Sequence, residues 1–134
     1  MRKTEKVFVI RNALTVLCLC ACSLTQAQTP STFVGSWKVT WQSPSRAEQA
    51  RLVISESGGT WKTVFPYKIT FNQCLGREVA IAFEEINGDE ARIRLKYAEA
   101  LPGCADSTIR IRKVNENEMT GTRWGKTELT ITRE

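Results

Sequence analysis

From Phe33 to Trp41 the side chains alternate without a break, with Phe33, Gly35, Trp37, Val39 and Trp41 on one parity and Val34, Ser36, Lys38 and Thr40 on the other. A period of two belongs to a strand with one face in a core and the other in water, whereas a helix would spread these residues around its axis. The pattern recurs along the chain. Leu52 and Ile54 mark a second strand over about 50–57. Trp61, Thr63, Phe65, Tyr67, Ile69 and Phe71 share a parity and predict one long third strand with Pro66 at a bulge or edge, a split at Pro66 being the alternative. Val79, Ile81 and Phe83 mark a fourth. Ala91, Ile93, Leu95 and Tyr97 alternate with Arg92, Arg94 and Lys96 in a fifth, over about 90–97. Ile109 and Ile111, then 119–124, then Leu129 and Ile131 supply three more. Turn residues separate them at Ser43-Pro44-Ser45, Gly58-Gly59, Asn87-Gly88-Asp89, Asn115-Glu116-Asn117 and Gly125-Lys126.

Eight consecutive strands joined by turns, with no amphipathic helical stretch between them, predict an all-β domain. The expected form is an eight-stranded up-and-down antiparallel barrel, closed so that no edge is left unpaired. The connections support this. The odd-numbered ones (43–49, 72–77, 98–106 and the short 125–126) share one end, and the three short turns share the other. That asymmetry suits an open mouth above a closed base. In a chain of 134 residues this leaves room for one domain, 33–134, preceded by a polar arm at 28–32.

The N-terminus reads differently. Arg2, Lys3, Lys6 and Arg11 precede the uncharged apolar run Ala13 to Ala21, the layout of a secretory signal peptide over 1–27. The run is shorter than the roughly 20 apolar residues a spanning helix needs. Two processing sites compete at its end. Thr25-Gln26-Ala27 suits ordinary cleavage before Gln28, and Leu19-Cys20-Ala21-Cys22 resembles the bacterial lipobox, which would lipidate Cys22. The expected location is therefore outside the cytoplasm, in the periplasm or anchored to the outer membrane. Export changes the charge argument too. Four of the 19 Lys and Arg and one of the 14 Asp and Glu lie in the signal, so the net charge falls from +5 to +2 and gives no warrant for nucleic-acid binding. Cys74 and Cys104, the two thiols left after cleavage, are expected to form a disulfide in an oxidising compartment, and the loop parity puts both at the mouth.

The Gly35-Ser36-Trp37 step resembles the Gly-x-Trp signature that opens the first strand of lipocalins and related small barrels, the calycins. The resemblance covers this strand closely and the remainder as architecture. It implies an arginine packed over the tryptophan, a position that Arg133 fills if the last strand closes against the first. Calycins also include exported bacterial protease inhibitors of similar size with one disulfide, which insert an N-terminal arm into their target.

Taking inward parity up to the mouth gathers Trp41, Tyr67, Phe71, Val79, Tyr97, Arg123 and Thr127. Of these, Trp41, Tyr67, Phe71, Tyr97 and Arg123 form the expected ligand site, apolar rings around one cation, suited to a small apolar or amphipathic molecule with an anionic head. The alternative is a barrel filled by its own side chains, working through a protein partner or as a structural envelope lipoprotein. On the outer face Arg92, Arg94, Lys96, Arg110 and Arg112 form an expected basic stripe, with Arg94 beside Arg110 and Arg92 beside Arg112, able to meet anionic headgroups or an acidic protein. Membrane contact is expected only through that stripe or a lipid anchor, and the domain is expected to be a monomer. With no histidine in the chain, and no acidic pair on inward parity, neither catalysis nor a metal or other cofactor is expected.

Overall fold

The computed structural model describes residues 29–66, 68 and 72–134. The expected signal segment with Cys22, and the site residues Tyr67 and Phe71, lie outside the described residues. Eight strands form one closed barrel in sequence order: β1 Gly35–Gln42, β2 Ala47–Ser55, β3 Gly58–Val64, β4 Val79–Asn87, β5 Glu90–Leu95, β6 Ser107–Asn115, β7 Glu118–Arg123 and β8 Thr127–Arg133. Every pairing is antiparallel, including β1 with β8, where Trp37 faces Arg133 and Val39 faces Ile131. The predicted architecture and its strand order are observed.

The core follows the parity read from the chain. Trp37, Val39, Leu52, Trp61, Ile93, Ile109, Met119 and Ile131 are buried completely or nearly so, while Lys38, Arg51 and Lys62 between them point to water. Trp37 and Trp61 are the largest of the fully buried side chains. Below them Pro30–Phe33 makes one 3-10 turn at the closed end, with Pro30 and Phe33 buried. Phe33 stacks against Phe83 at 6.1 Å between ring centres, and its carbonyl accepts the Trp37 indole N–H at 2.9 Å. Most of the segment expected as an arm is therefore part of the base.

Arg133 occupies the place its parity implied, its guanidinium carbon 4.2 Å from the centre of the Trp37 ring. It also donates to the Glu116 carbonyl at 2.7 Å and the Val34 carbonyl at 3.3 Å. The strand end is pinned by Arg133 N–H to the Asn117 carbonyl and Glu134 N–H to the Ser36 carbonyl.

Three local expectations are corrected. β3 ends at Val64, before Pro66, and does not run to 71, because proline brings no N–H to continue a ladder. Pairing of β3 with β4 is correspondingly brief, Thr60 with Ala80 and Trp61 with Val79. The hairpin before β3 turns at Glu56 and Ser57, so Gly58 and Gly59 open the strand and do not form the turn. A Cβ on Gly59 would lie 1.9 Å from the Val53 carbonyl oxygen, which explains the glycine without a turn. Finally, β5 stops at Leu95, and Tyr97–Ala100 is a single turn of helix, α1, crossing the mouth.

Candidate functional site: the barrel mouth

The mouth carries the connections 43–46, 65–78, 96–106 and 124–126, and the Cys74–Cys104 disulfide ties the second to the third with 5.6 Å between the Cα atoms. That linkage agrees with the expectation from loop parity. Leu101 and Cys74 pack onto the core beside it.

Arg123 is the last residue of β7 and keeps the inward parity of Met119, so the strand drives a cation into the barrel. Its exposure is 3%. Indole rings crowd it: the guanidinium carbon lies 4.4 Å from the ring centre of Trp124, 5.4 Å from Trp61 and 5.7 Å from Trp41. Trp41 and Trp61 stack on each other at 6.1 Å, and Trp61 spends its N–H on the Thr63 hydroxyl at 3.1 Å. The one hydrogen bond drawn from the guanidinium among the described residues runs from Nε to the Ser107 hydroxyl, and at 3.5 Å it is at the limit of the interaction. No described carboxylate comes within ion-pair distance. Glu48, on inward parity of β2, favours the charged form from further off and is itself paired with Arg46 at 3.4 Å.

Burial pushes the Arg123 guanidinium below the usual arginine range, and the Tyr97 phenol beside it acts in the opposite sense. That opposing effect includes a hydrogen-bonding contact between the two groups, but the contact does not close to full hydrogen-bond geometry, and the Tyr97 hydroxyl is itself buried. Burying an ionised group without a counter-ion costs several kcal/mol even after relaxation. Cation–π contacts return about 0.5–2 kcal/mol each. The mouth thus holds an under-satisfied cation beside a phenol that meets it only through an incomplete contact, two donors that an anionic oxygen could accept from.

Of the expected site residues, Trp41, Tyr97 and Arg123 come together. Tyr97 does so from α1 and not from a strand. Parity reasoning passed over three contributors. Trp61 and Thr63 were legible as inward residues of β3, since both are buried on the expected face. Trp124 continues the outward parity of β7 and borders the outer wall beside Arg110 and Thr122, and with φ +55° its ring also lies against the Arg123 guanidinium. Nothing in the Trp-Gly pair announces this, because a left-handed turn normally opens with asparagine, aspartate or glycine.

The basic stripe is corrected in register and in charge. Arg92 faces Arg110, Arg94 faces Thr108 and Glu90 faces Arg112, two residues away from the expected pairing. Acids neutralise most of it: Arg94 pairs with Glu84 at 2.9 Å, Arg92 with Glu85 at 3.4 Å, Lys96 with Glu99 at 3.3 Å, and Arg112 with Glu90. Arg110 has no carboxylate partner among the described residues. A groove of about 540 Å³ crosses this wall, lined by Arg92, Arg110 and Arg112 but also by Glu85, Glu90 and Glu128. Such a mixed surface has no strong field of one sign. Among the described residues no three metal-ligating side chains cluster.

The fold is consistent with the calycin type of closed barrel that the Gly35-Ser36-Trp37 step suggested. No protein-family model, no curated protein and no solved structure matches this chain. The reading of what it does therefore rests on the mouth.

Proposed function

We propose that this domain binds a small amphipathic organic anion at the barrel mouth, its carboxylate on Arg123 and Tyr97 and its apolar part against the indoles of Trp41 and Trp124. The observation that carries this is a buried guanidinium with no described carboxylate in reach. A structural arginine would be matched, as Arg133 is at the other end by two carbonyls and a ring. Binding suits the site better than catalysis, because an arginine stays protonated at neutral pH and is poorly placed to exchange protons. We further infer that the domain works after export. Support comes from the signal-like first 27 residues, from the lipobox-like Leu19 to Cys22 and from the disulfide. The alternative, a filled barrel that inserts its N-terminal arm into a protein partner, is disfavoured because Pro30 and Phe33 are already buried in the base.

Isothermal titration with octanoate, with octanol as the uncharged control, tests the binding reading on the oxidised domain. Octanoate is expected to bind, and Arg123→Met to weaken it by at least about tenfold, or ~1.4 kcal/mol, without changing octanol. Octanoate binding that is equal in the wild type and R123M, or absent in the wild type, would overturn it.

A further inference from the structure

The connection between β7 and β8 is built against its own preferences. Lys126 N–H bonds the Arg123 carbonyl at 3.2 Å, closing a four-residue turn with Trp124 at φ +55° and Gly125 at φ +70°. Both central residues are left-handed, as in the type I′ turn, where asparagine, aspartate or glycine normally stands first. A tryptophan there is an outlier, and Trp124 is the only non-glycine residue with positive φ among those described. It is also the most exposed of the large apolar side chains, at 60%. A strained backbone and an exposed indole are both unfavourable for folding, and such outliers concentrate where function holds them.

Their joint effect falls on one atom group. Of the three indoles around Arg123, Trp41 and Trp61 are buried and packed on each other, whereas Trp124 approaches nearest to the guanidinium and is largely exposed. Its outer side borders a surface groove of about 370 Å³ that also reaches Ser107, the acceptor of the Arg123 Nε–H. Because Arg123 is nearly inaccessible, an anion reaches it only if something moves. The side chain least restrained by packing is the ring over it, and exposed side chains change rotamer in picoseconds to nanoseconds.

We infer that Trp124 is the movable cover of the Arg123 anion site. It shields the guanidinium when the site is empty, and it swings toward the groove to admit a carboxylate, with its ring then forming one wall for the ligand's apolar part. The ligand part of this inference rests on the binding reading above; the cover itself does not. Two variants separate the ring from the turn. Trp124→Asn keeps a residue suited to the left-handed position and removes the ring, and Trp124→Phe keeps a ring in the same strained place.

The experiment is modification of Arg123 by phenylglyoxal, followed by peptide mass spectrometry, alongside octanoate titration of the same proteins after their folding is checked by circular dichroism. With the cation–π cover removed, W124N is expected to label at Arg123 about fivefold faster than the wild type and to bind octanoate about fivefold more weakly, with W124F close to the wild type in both. Labelling at Arg123 that is unchanged in W124N would overturn the cover whatever octanoate does. Faster labelling with octanoate binding equal to the wild type would overturn Trp124 as a ligand wall. A wild type that binds no octanoate while W124N labels faster would overturn the binding reading of Arg123 and retain the cover.

Discussion

Replacing Gly35 by alanine tests the closed end of the barrel with one methyl group. Gly35 has φ +149°, and a Cβ built on it would lie 2.2 Å from Arg133 Nη1 and 3.4 Å from the Trp37 indole nitrogen. The backbone strain of a side chain in that region is of order 1–3 kcal/mol. The methyl also drives the guanidinium off its ring, removing a cation–π contact of about 0.5–2 kcal/mol. The hydrogen bonds to Glu116 and Val34 go with it, for about another 1 kcal/mol net. Together these come to about 2.5–6 kcal/mol, a large share of the 5–15 kcal/mol typical of a domain.

Urea unfolding followed by tryptophan fluorescence measures the loss. A double-mutant cycle with Arg133→Ala assigns it. If the methyl acts through the guanidinium, Gly35→Ala in the R133A background should cost only the strain, leaving a coupling of about 1.5–3 kcal/mol. Additivity within about 0.5 kcal/mol would refute the account, because the two changes would then act independently.

The Gly59→Ala methyl meets the Val53 carbonyl oxygen at 1.9 Å, backbone that cannot step aside as a side chain can, so the same urea assay should find a larger loss than for Gly35→Ala. Replacing Cys74 and Cys104 by serine opens a 30-residue separation, and loop-closure entropy puts the cost at about 3–4 kcal/mol, read as a lower urea midpoint that matches reduced wild type. Arg123→Met should raise stability by about 1–3 kcal/mol while losing octanoate, since a buried charge without a counter-ion is replaced by a carbon chain among indoles. The hydrogen bond and charge of Arg94 hold the Glu84 carboxyl below the usual glutamate range. Its contribution is therefore present above the unfolded pKa and lost as pH falls through the lower folded value, and Glu84→Gln should flatten that acid limb in pH-dependent urea midpoints.

Parity was the legible part of this chain. Trp37, Val39 and Trp41 declare their face because nothing but a two-residue period puts three bulky apolar groups on one side of a run with Lys38 and Thr40 on the other. Arg123 and Arg133 followed, each from the strand it sits in. Strand ends and register were not legible to the same degree. Pro66 could mark a bulge, an edge or a stop, and only the brief pairing of β3 with β4 decides for a stop. The arginine pairing on the outer wall was displaced because the register between β5 and β6 is set at Leu95 and Ser107, where the chain leaves for α1, and no residue in that loop announces the helix. The contact of Trp124 with Arg123 was not legible, because alternation holds only while the backbone stays extended, and a left-handed residue ends it.

The two arginines that close the ends of this barrel separate structural from functional use of the same side chain. Arg133 lies over Trp37 with carbonyl acceptors at 2.7 Å and 3.3 Å, so its charge is met within the fold and its loss should register as stability alone. Arg123 lies among three indoles with one marginal acceptor, Ser107, and its burial works against its own charge. Rings can solvate the faces of a guanidinium but cannot accept the in-plane N–H bonds that its planar fork presents. Those donors need oxygen atoms, and beside them the fold places the buried Tyr97 hydroxyl, whose contact with the guanidinium stops short of full hydrogen-bond geometry. The base of the barrel is therefore matched within the described residues, whereas at the mouth the described residues leave the guanidinium with one marginal acceptor and an incomplete contact to Tyr97, the contrast on which the binding proposal rests.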